Sequence, residues 1–248
     1  HYPFFGGAEY VYLASILKKI PYFLTYHMDV TGNTLLKKLV MAFYEPLLLK
    51  RIIHGAKQIG SPGKQYLETT KIGKIVPWER VVDFPHAGVD PELFHPAPPS
   101  PELIKKYGLQ GKTVALFVGN LQPFKGLNLL IEAMADLHNE PLVLLVVGGG
   151  YAETRYRQQV IRMGLEQKVL FAGPQSPDNE LPDYYNLADF LVLPSIHSES
   201  FGLVVLESMA SGKPAVVSAL PGPSSLVSHS RDGLIVKIGD VGSLKEAL

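Results

Sequence analysis

Not one of the 248 residues is a cysteine. That excludes disulfide staples, thiolate zinc sites and thiol nucleophiles, and it suits a reducing compartment. No Asp-x-Asp pair and no run of histidines and carboxylates at ligand spacing occurs either, so nothing in the sequence asks for a metal. Neither sign of charge is in excess. Lys plus Arg and Asp plus Glu number 23 each, which argues against general nucleic-acid binding, where a basic surplus is usual. No apolar run approaches the roughly 20 residues of a membrane span.

What remains is ordinary globular composition. At 46% hydrophobic and 19% charged residues, the chain can bury a substantial core in one large domain or two small ones. His1 rather than Met stands first, and HYPFFGGAEY has neither a basic n-region nor a signal h-region. GSLKEAL at the other end reads as a helix stopped without a C-cap, so both ends are expected to be interior points of a longer chain.

The second half alternates short apolar runs with helical patterns. TVALFV (113–118), LVLLVV (142–147), VLFA (169–172), FLVLP (190–194), PAVVS (214–218) and LIV (234–236) read as parallel strands covered on both faces. Between the first two, Leu127, Leu130, Ile131 and Met134 recur at helical spacing. Strand–helix units in series predict an open, doubly wound parallel sheet, in which ligands sit outside the carboxyl ends of the strands. The first half is similar but shorter: a helix over about 8–19, strand YFLTY (22–26), a long helix broken by Pro46, strand QIGS (58–61), a helix, and strand VVDF (81–84). It reads as the second half of another such domain. The Pro-rich stretch HAGVDPELFHPAPPSPE (86–102) is expected to link the two, with the domains placed at 1–96 and 97–248.

Two phosphate-loop candidates fail. GLQGKT (108–113) ends like a Walker A motif, but its first glycine would fall on Lys106. GGGYAE (148–153) begins like a dinucleotide fingerprint, but Glu153 stands where the third glycine belongs, and a tight strand-to-helix turn is the simpler reading.

ESFGLVVLE (199–207) is different, because two carboxylates bracket an apolar run directly after strand FLVLP. Gly202 permits close backbone approach, and a helix from about Leu203 to Ser211 would end at Gly212, with Pro214 beyond. The amides of Phe201, Gly202 and Leu203 then lie at a helix N-terminus, a natural anion site. If all eight intervals were helical, the acids would stand roughly 12 Å apart, comparable to the separation of the two hydroxyl-bearing ends of a nucleotide sugar. A solvated loop Glu and a surface helix Glu would fit the spacing equally. Lys125, in VGNLQPFKG (118–126), ends another strand and would face the same edge as a phosphate partner. His27, in TYHMD (25–29), ends a strand of the first half, where either a satisfied edge histidine or a site residue is possible.

These stretches together resemble the retaining glycosyltransferases of family 4. VGNLQPFKGLNLLIEAM, VVGGG, VLFAGPQS, LPDYYNLADFLVLPS and ESFGLVVLESMASGKPAVVS fall in that family's order, and TYHMD and HAGVDPELFHP are similar to its first domain and linker. HYPFF is similar to bacterial members that build surface polysaccharide, often mannosyltransferases. The resemblance implies an α/β protein of the GT-B type, two Rossmann-like doubly wound parallel-sheet domains with the first incomplete. It implies a metal-independent hexosyltransferase that moves a hexose from a GDP- or UDP-sugar to a saccharide or lipid-linked acceptor with retention, needs no cofactor, and works in the cytoplasm or at the inner face of the membrane. By the same resemblance, Glu199 contacts the donor sugar and Glu207 the ribose hydroxyls. Lys125 and the amides of Ser200, Phe201, Gly202 and Leu203 hold the diphosphate, and His27 reaches toward sugar and acceptor. Gly173, Pro174, Gln175 and Ser176 flank the base. Asn120 stands where the family usually has a second diphosphate-binding arginine, and PGPSS (221–225) carries Pro223 and Ser225 where paired glycines and a glutamate are usual. Asn120 and the truncated ends keep a second reading open, a nucleotide-sugar-binding protein with little or no turnover; a dehydrogenase on the same sheet type comes third, against the broken glycine fingerprint. Finally, residues 35–57 interleave Lys37, Lys38, Lys50, Arg51 and Lys57 with large apolar residues. Helix against sheet with a solvated basic face is the plainer reading, and a face resting on an anionic membrane is the other.

Overall fold

The computed structural model of the protein describes residues 1–4, 6–27, 35–61, 63–83 and 88–248, with side chains 36–38 and 83 outside the description. The chain divides into two compact units, His1–Ala87 and Gly88–Leu248.

The first α-helix of the second unit is α5 (Pro101–Tyr107); its numbering continues from the elements among the described residues of the first unit, α1 (Gly7–Lys18), β1 (Phe23–Thr25), α2 (Leu35–Tyr44), α3 (Lys50–Gly55), β2 (Gln58–Ser61), α4 (Lys64–Thr69) and β3 (Val81–Asp83). After α5 come β4 (Thr113–Val118), α6 (Leu127–Asp136), β5 (Leu142–Val147), α7 (Glu153–Arg162), β6 (Val169–Gly173) and α8 (Leu181–Leu187). Then follow β7 (Phe190–Leu193), α9 (Leu203–Ala210), β8 (Ala215–Ser218), α10 (Pro221–Ser224), β9 (Gly233–Val236) and α11 (Val241–Ala247).

The six strands of the second unit pair in parallel in the order β6-β5-β4-β7-β8-β9. Their uninterrupted apolar runs follow from period-2 geometry. Ala115, Phe117, Leu144 and Val146 enter one core with Leu127, Leu130, Ile131 and Met134 of α6. Val114, Leu116, Val143 and Leu145 enter the other with Leu181 and Tyr185 of α8 and Val205 of α9. Alternate residues thus face opposite covered sides, and polar residues are confined to strand ends such as Thr113 and Ser218. At about 1.5–3 kcal/mol for each fully buried large apolar side chain, tertiary burial sets these helices, since ten-residue helices are marginal alone.

The segment entering this unit is docked onto it. Phe94 is buried edge-on against Tyr185 (5.7 Å between ring centroids, 78° between planes), and the Ala97 amide donates to Asn186 Oδ1 at 2.9 Å. The units meet at Ala87/Gly88, upstream of the 96/97 boundary expected from the Pro-rich composition. His86 and Ala87 lie outside the described residues.

In the first unit β1-β2-β3 form a three-stranded parallel sheet, extended by a bridge between Tyr2 and Tyr26. Its core holds Leu24, Leu49, Ile52, Ile53, Ile59 and Leu67. The helix expected to break at Pro46 does not break: a π-helical turn over Glu45–Leu49 joins α2 directly to α3. Proline lacks the amide and crowds the preceding turn, and the wider π turn accommodates both defects while Leu49, Ile52 and Ile53 stay buried. Met28 and Asp29 of TYHMD and Phe84 of VVDF lie outside the described residues. Among the described residues no helix is long and apolar enough to cross a membrane.

Candidate functional site

The strand order identifies where a ligand can enter the second unit. From β4 the chain proceeds outward to β5 and β6, then returns to β7 on the other side of β4 and proceeds to β8 and β9. The loops after β4 and β7 therefore diverge and leave a crevice at the carboxyl ends of these neighbours.

Backbone contacts hold the two loops together. The β4 loop closes with a 3-10 turn, Pro123–Lys125, and Gly126 at φ 73° caps α6. The Ile196 amide donates to Phe124 O at 2.8 Å, and the rings of Phe124 and His197 stack at 5.5 Å. A Cβ at Gly126 would lie 2.0 Å from the Pro194 carbonyl oxygen, so the approach requires glycine. On this frame Lys125 Nζ meets Glu199 Oε2 at 2.5 Å, with side-chain exposures of 18% and 13%. Ser195 Oγ, on a fully buried residue, donates to the same carboxylate oxygen at 3.3 Å. Two charges this sheltered are tolerated because each neutralises the other.

Three residues after Glu199, Gly202 adopts φ 91° and turns the chain into α9, whose first amides point away from the helix. Gly222 of α10 sits under this turn, where an added Cβ would come within 2.7 Å of Ser200 backbone atoms and the Phe201 nitrogen. PGPSS therefore forms a helical turn against the 200–202 loop. Residues 199–202 are not helical, so the roughly 12 Å estimate for the two glutamates does not apply. α9 itself ends at Ala210 with Gly212 in the left-handed region, close to the expected Ser211.

Glu207, within α9, is joined to neither Lys125 nor Glu199 by any hydrogen bond or ion pair among the described residues. Its Oε2 accepts from the hydroxyl of Tyr185, on α8, at 2.6 Å. Burial pushes the Glu207 carboxyl up, and the Tyr185 bond draws it part of the way back. Burial, and then the charge of Glu207, push the Tyr185 phenol well up.

The other expected contacts spread along the sheet edge. Asn120 is exposed and lines the narrow gap to the β5 loop, where a Cβ on Gly150 would stand 2.5 Å from its Oδ1. Gly173, at φ 77°, accepts from the Gly148 amide at 2.9 Å. The GGG turn behaves as expected: a Cβ on Gly148 would reach the Gly119 oxygen at 2.0 Å. Pro174 is exposed. Gln175 Nε2 donates to Ala172 O at 2.9 Å, and the Ser176 amide donates to Glu180 Oε2 at 3.0 Å. Phe201 is half-buried and Leu203 exposed. His27 follows β1 in the first unit, with its Nε2 2.8 Å from His1 Nδ1 and the two rings stacked at 5.0 Å. Among the described residues no group of three or more His, Asp or Glu is placed to hold a metal ion.

Sequence reasoning missed Ser195 and Tyr185. Ser195 had a positional signal, the first residue after FLVLP. Tyr185 had none, since a tyrosine among the apolar residues of LPDYYNLADF reads as core.

The parallel sheets and the site at the strand reversal define the GT-B class of fold, shared with solved glycosyltransferases. Anabaena HepE in complex with UDP superposes with a TM-score of 0.77 at 25% identity, covering 96% of this chain and 64% of that one. The C-terminal domain of a glycosyl transferase group 1 protein (LpcC) from Francisella tularensis superposes at 0.57 and 25% identity, covering 64% of this chain and 85% of that one. The family model for glycosyl transferases group 1 matches residues 99–248, more than half of the chain, and the protein belongs to this family. D-inositol 3-phosphate glycosyltransferase of Corynebacterium efficiens is 40% identical over 136 residues, 52% of this chain and 31% of that protein. The chain spans about a third of the length of such relatives.

Proposed function

We propose that the chain is the donor-binding part, with a portion of the acceptor side, of a glycosyltransferase that moves a hexose from a UDP-sugar to a saccharide or lipid-linked acceptor, with retention and without a metal. The observation that carries this is the sheltered Lys125–Glu199 pair at the strand reversal, beside the N-terminus of α9. As the bond from the anomeric carbon to the diphosphate breaks, negative charge builds on the leaving group. Lys125 and the amides around Gly202 are the donors placed to stabilise it. When a diphosphate arrives, Lys125 turns toward it, and the freed Glu199 carboxylate accepts from the donor sugar's hydroxyls. Glu207 accepts from the ribose hydroxyls, and His27 acts from the first unit on the sugar and the incoming hydroxyl.

UDP is chosen because HepE was solved with UDP and with UDP-glucose. The resemblance to mannosyltransferases favours GDP-mannose as the competitor. Relatives named for D-inositol 3-phosphate add a phosphorylated polyol to the acceptors worth testing.

A thermal-shift panel of UDP-, GDP- and ADP-sugars on the intact protein tests the donor. At a hundredfold excess over Kd a ligand stabilises by about 2.7 kcal/mol, a rise in Tm of roughly 5–10 °C for a chain of this size. The UDP-sugar is expected to give that shift, to be slowly hydrolysed with its anomeric configuration kept, and to do so in EDTA. No shift with any nucleotide sugar would sink the reading; a shift without hydrolysis would leave a binding protein.

A further inference from the structure

Tyr185 is completely buried, and its ring is held edge-on by Phe94 from the segment that enters the second unit. A buried phenol must place its one O–H on an acceptor, and this one is spent on Glu207 Oε2 at 2.6 Å. We propose that Tyr185 is a positioning residue, one that fixes the Glu207 carboxylate in the orientation that accepts the ribose hydroxyls of the donor nucleotide. The inference rests on the reading of Glu207 given above.

The geometry explains why such a residue is useful. A glutamate has three side-chain torsions, and an unrestrained one loses that freedom when the ligand binds. A carboxylate offers about four acceptor positions; Tyr185 occupies one and leaves the rest for two hydroxyls. Tyr185 also sets the charge. α9 packs against β7 and β8, and neither FLVL nor AVVS carries an ionisable group. On α8, Asp183 is exposed. The phenol of Tyr185 is therefore the polar group that opposes the upward push of burial on Glu207. The competing view is that Glu207 merely satisfies a core hydroxyl, and the two views differ in what the ligand senses.

Calorimetry on the intact protein separates them, with UDP and 2′,3′-dideoxy-UDP as probes. Tyr185→Phe keeps the ring and removes the hydroxyl. It is expected to weaken UDP by about three- to tenfold, in line with the net worth of an ordinary hydrogen bond, and to leave dideoxy-UDP unchanged. The pH profile supplies a second readout. A hydrogen bond to the ionised carboxylate favours ionisation, so removing it raises the Glu207 pKa further. As pH falls, Tyr185→Phe should lose UDP affinity at a higher pH than the parent. Phe94→Leu frees the ring while keeping the hydroxyl; it should show the same selective loss at smaller amplitude, and it serves if Tyr185→Phe does not fold.

Equal losses for both nucleotides, or an unmoved affinity and pH limb, would overturn the proposal. Glu207→Gln distinguishes the two levels of failure. If Glu207→Gln binds UDP like the parent, the ribose reading falls and takes the Tyr185 proposal with it. If Glu207→Gln weakens UDP while Tyr185→Phe does not, only the positioning role is refuted.

Discussion

The two units solve the same folding problem to different degrees. In the second, six strands are covered on both faces and five large hydrophobic residues are exposed among those described; in the first, three strands leave fourteen exposed, including Tyr10, Leu17, Leu35 and Phe43. α1 shows the contrast locally. It buries Ala8 but exposes Tyr10, Leu13, Ile16 and Leu17, as a helix does when only one of its apolar faces is covered. A covered sheet can hold a rigid charged site at its edge, and the Lys125–Glu199 pair lies on the unit with the complete core.

Separating the units should have the largest effect. Residues 88–248 alone are expected to unfold cooperatively and to bind UDP, as the solved Francisella C-terminal domain encourages, while residues 1–87 alone should give no cooperative transition by calorimetry. The reverse outcome would break the comparison.

Next comes Gly126→Ala, which adds a Cβ 2.0 Å from a carbonyl oxygen at a residue with φ 73°. A cost of about 2–4 kcal/mol is expected, read as a drop in the Tm of the second unit. His27→Ala should slow transfer by about a hundredfold while nucleotide affinity holds, because the proposed function places the two roles on different units. A matching loss of affinity would show His27 to be misassigned. Lys125→Ala should weaken UDP by about tenfold, whereas Lys71→Ala, in an exposed pair with Glu45 of the first unit, should leave it unchanged. Smallest is Gly63→Ala in the first unit. Its φ of −172° is ordinary extended backbone and nothing lies within 4 Å of the added atom, so stability should stay within about 0.5 kcal/mol.

The legible part of this fold was what repeats locally. Strands buried on both faces announce themselves as unbroken apolar runs, and β4 and β5 begin and end where TVALFV and LVLLVV do. Lys125 and Glu199 were each legible as strand-end residues, but their ion pair was not, since it depends on β7 returning beside β4. Tyr185 was invisible because its partner is 22 positions away, on another helix. At Pro46 the local rule predicted a break, and burial of Leu49, Ile52 and Ile53 overrode it through the π turn. The segment after Ala87 clusters with the second unit for a related reason: proline content marks an extended chain, and Phe94 with the Ala97–Asn186 hydrogen bond fastens that chain to a core.

The meeting of Gly126 with the Pro194 carbonyl has a consequence for how such proteins can vary. Two loops separated by some seventy residues behave as one mechanical part, because each is the other's spacer. A chimera that takes the β4 loop from one family member and the β7 loop from another would retain the lysine and the glutamate yet set them at a new distance. Inheritance therefore acts on the matched pair of loops, and a change in either backbone has to be answered in the other before the charges meet again.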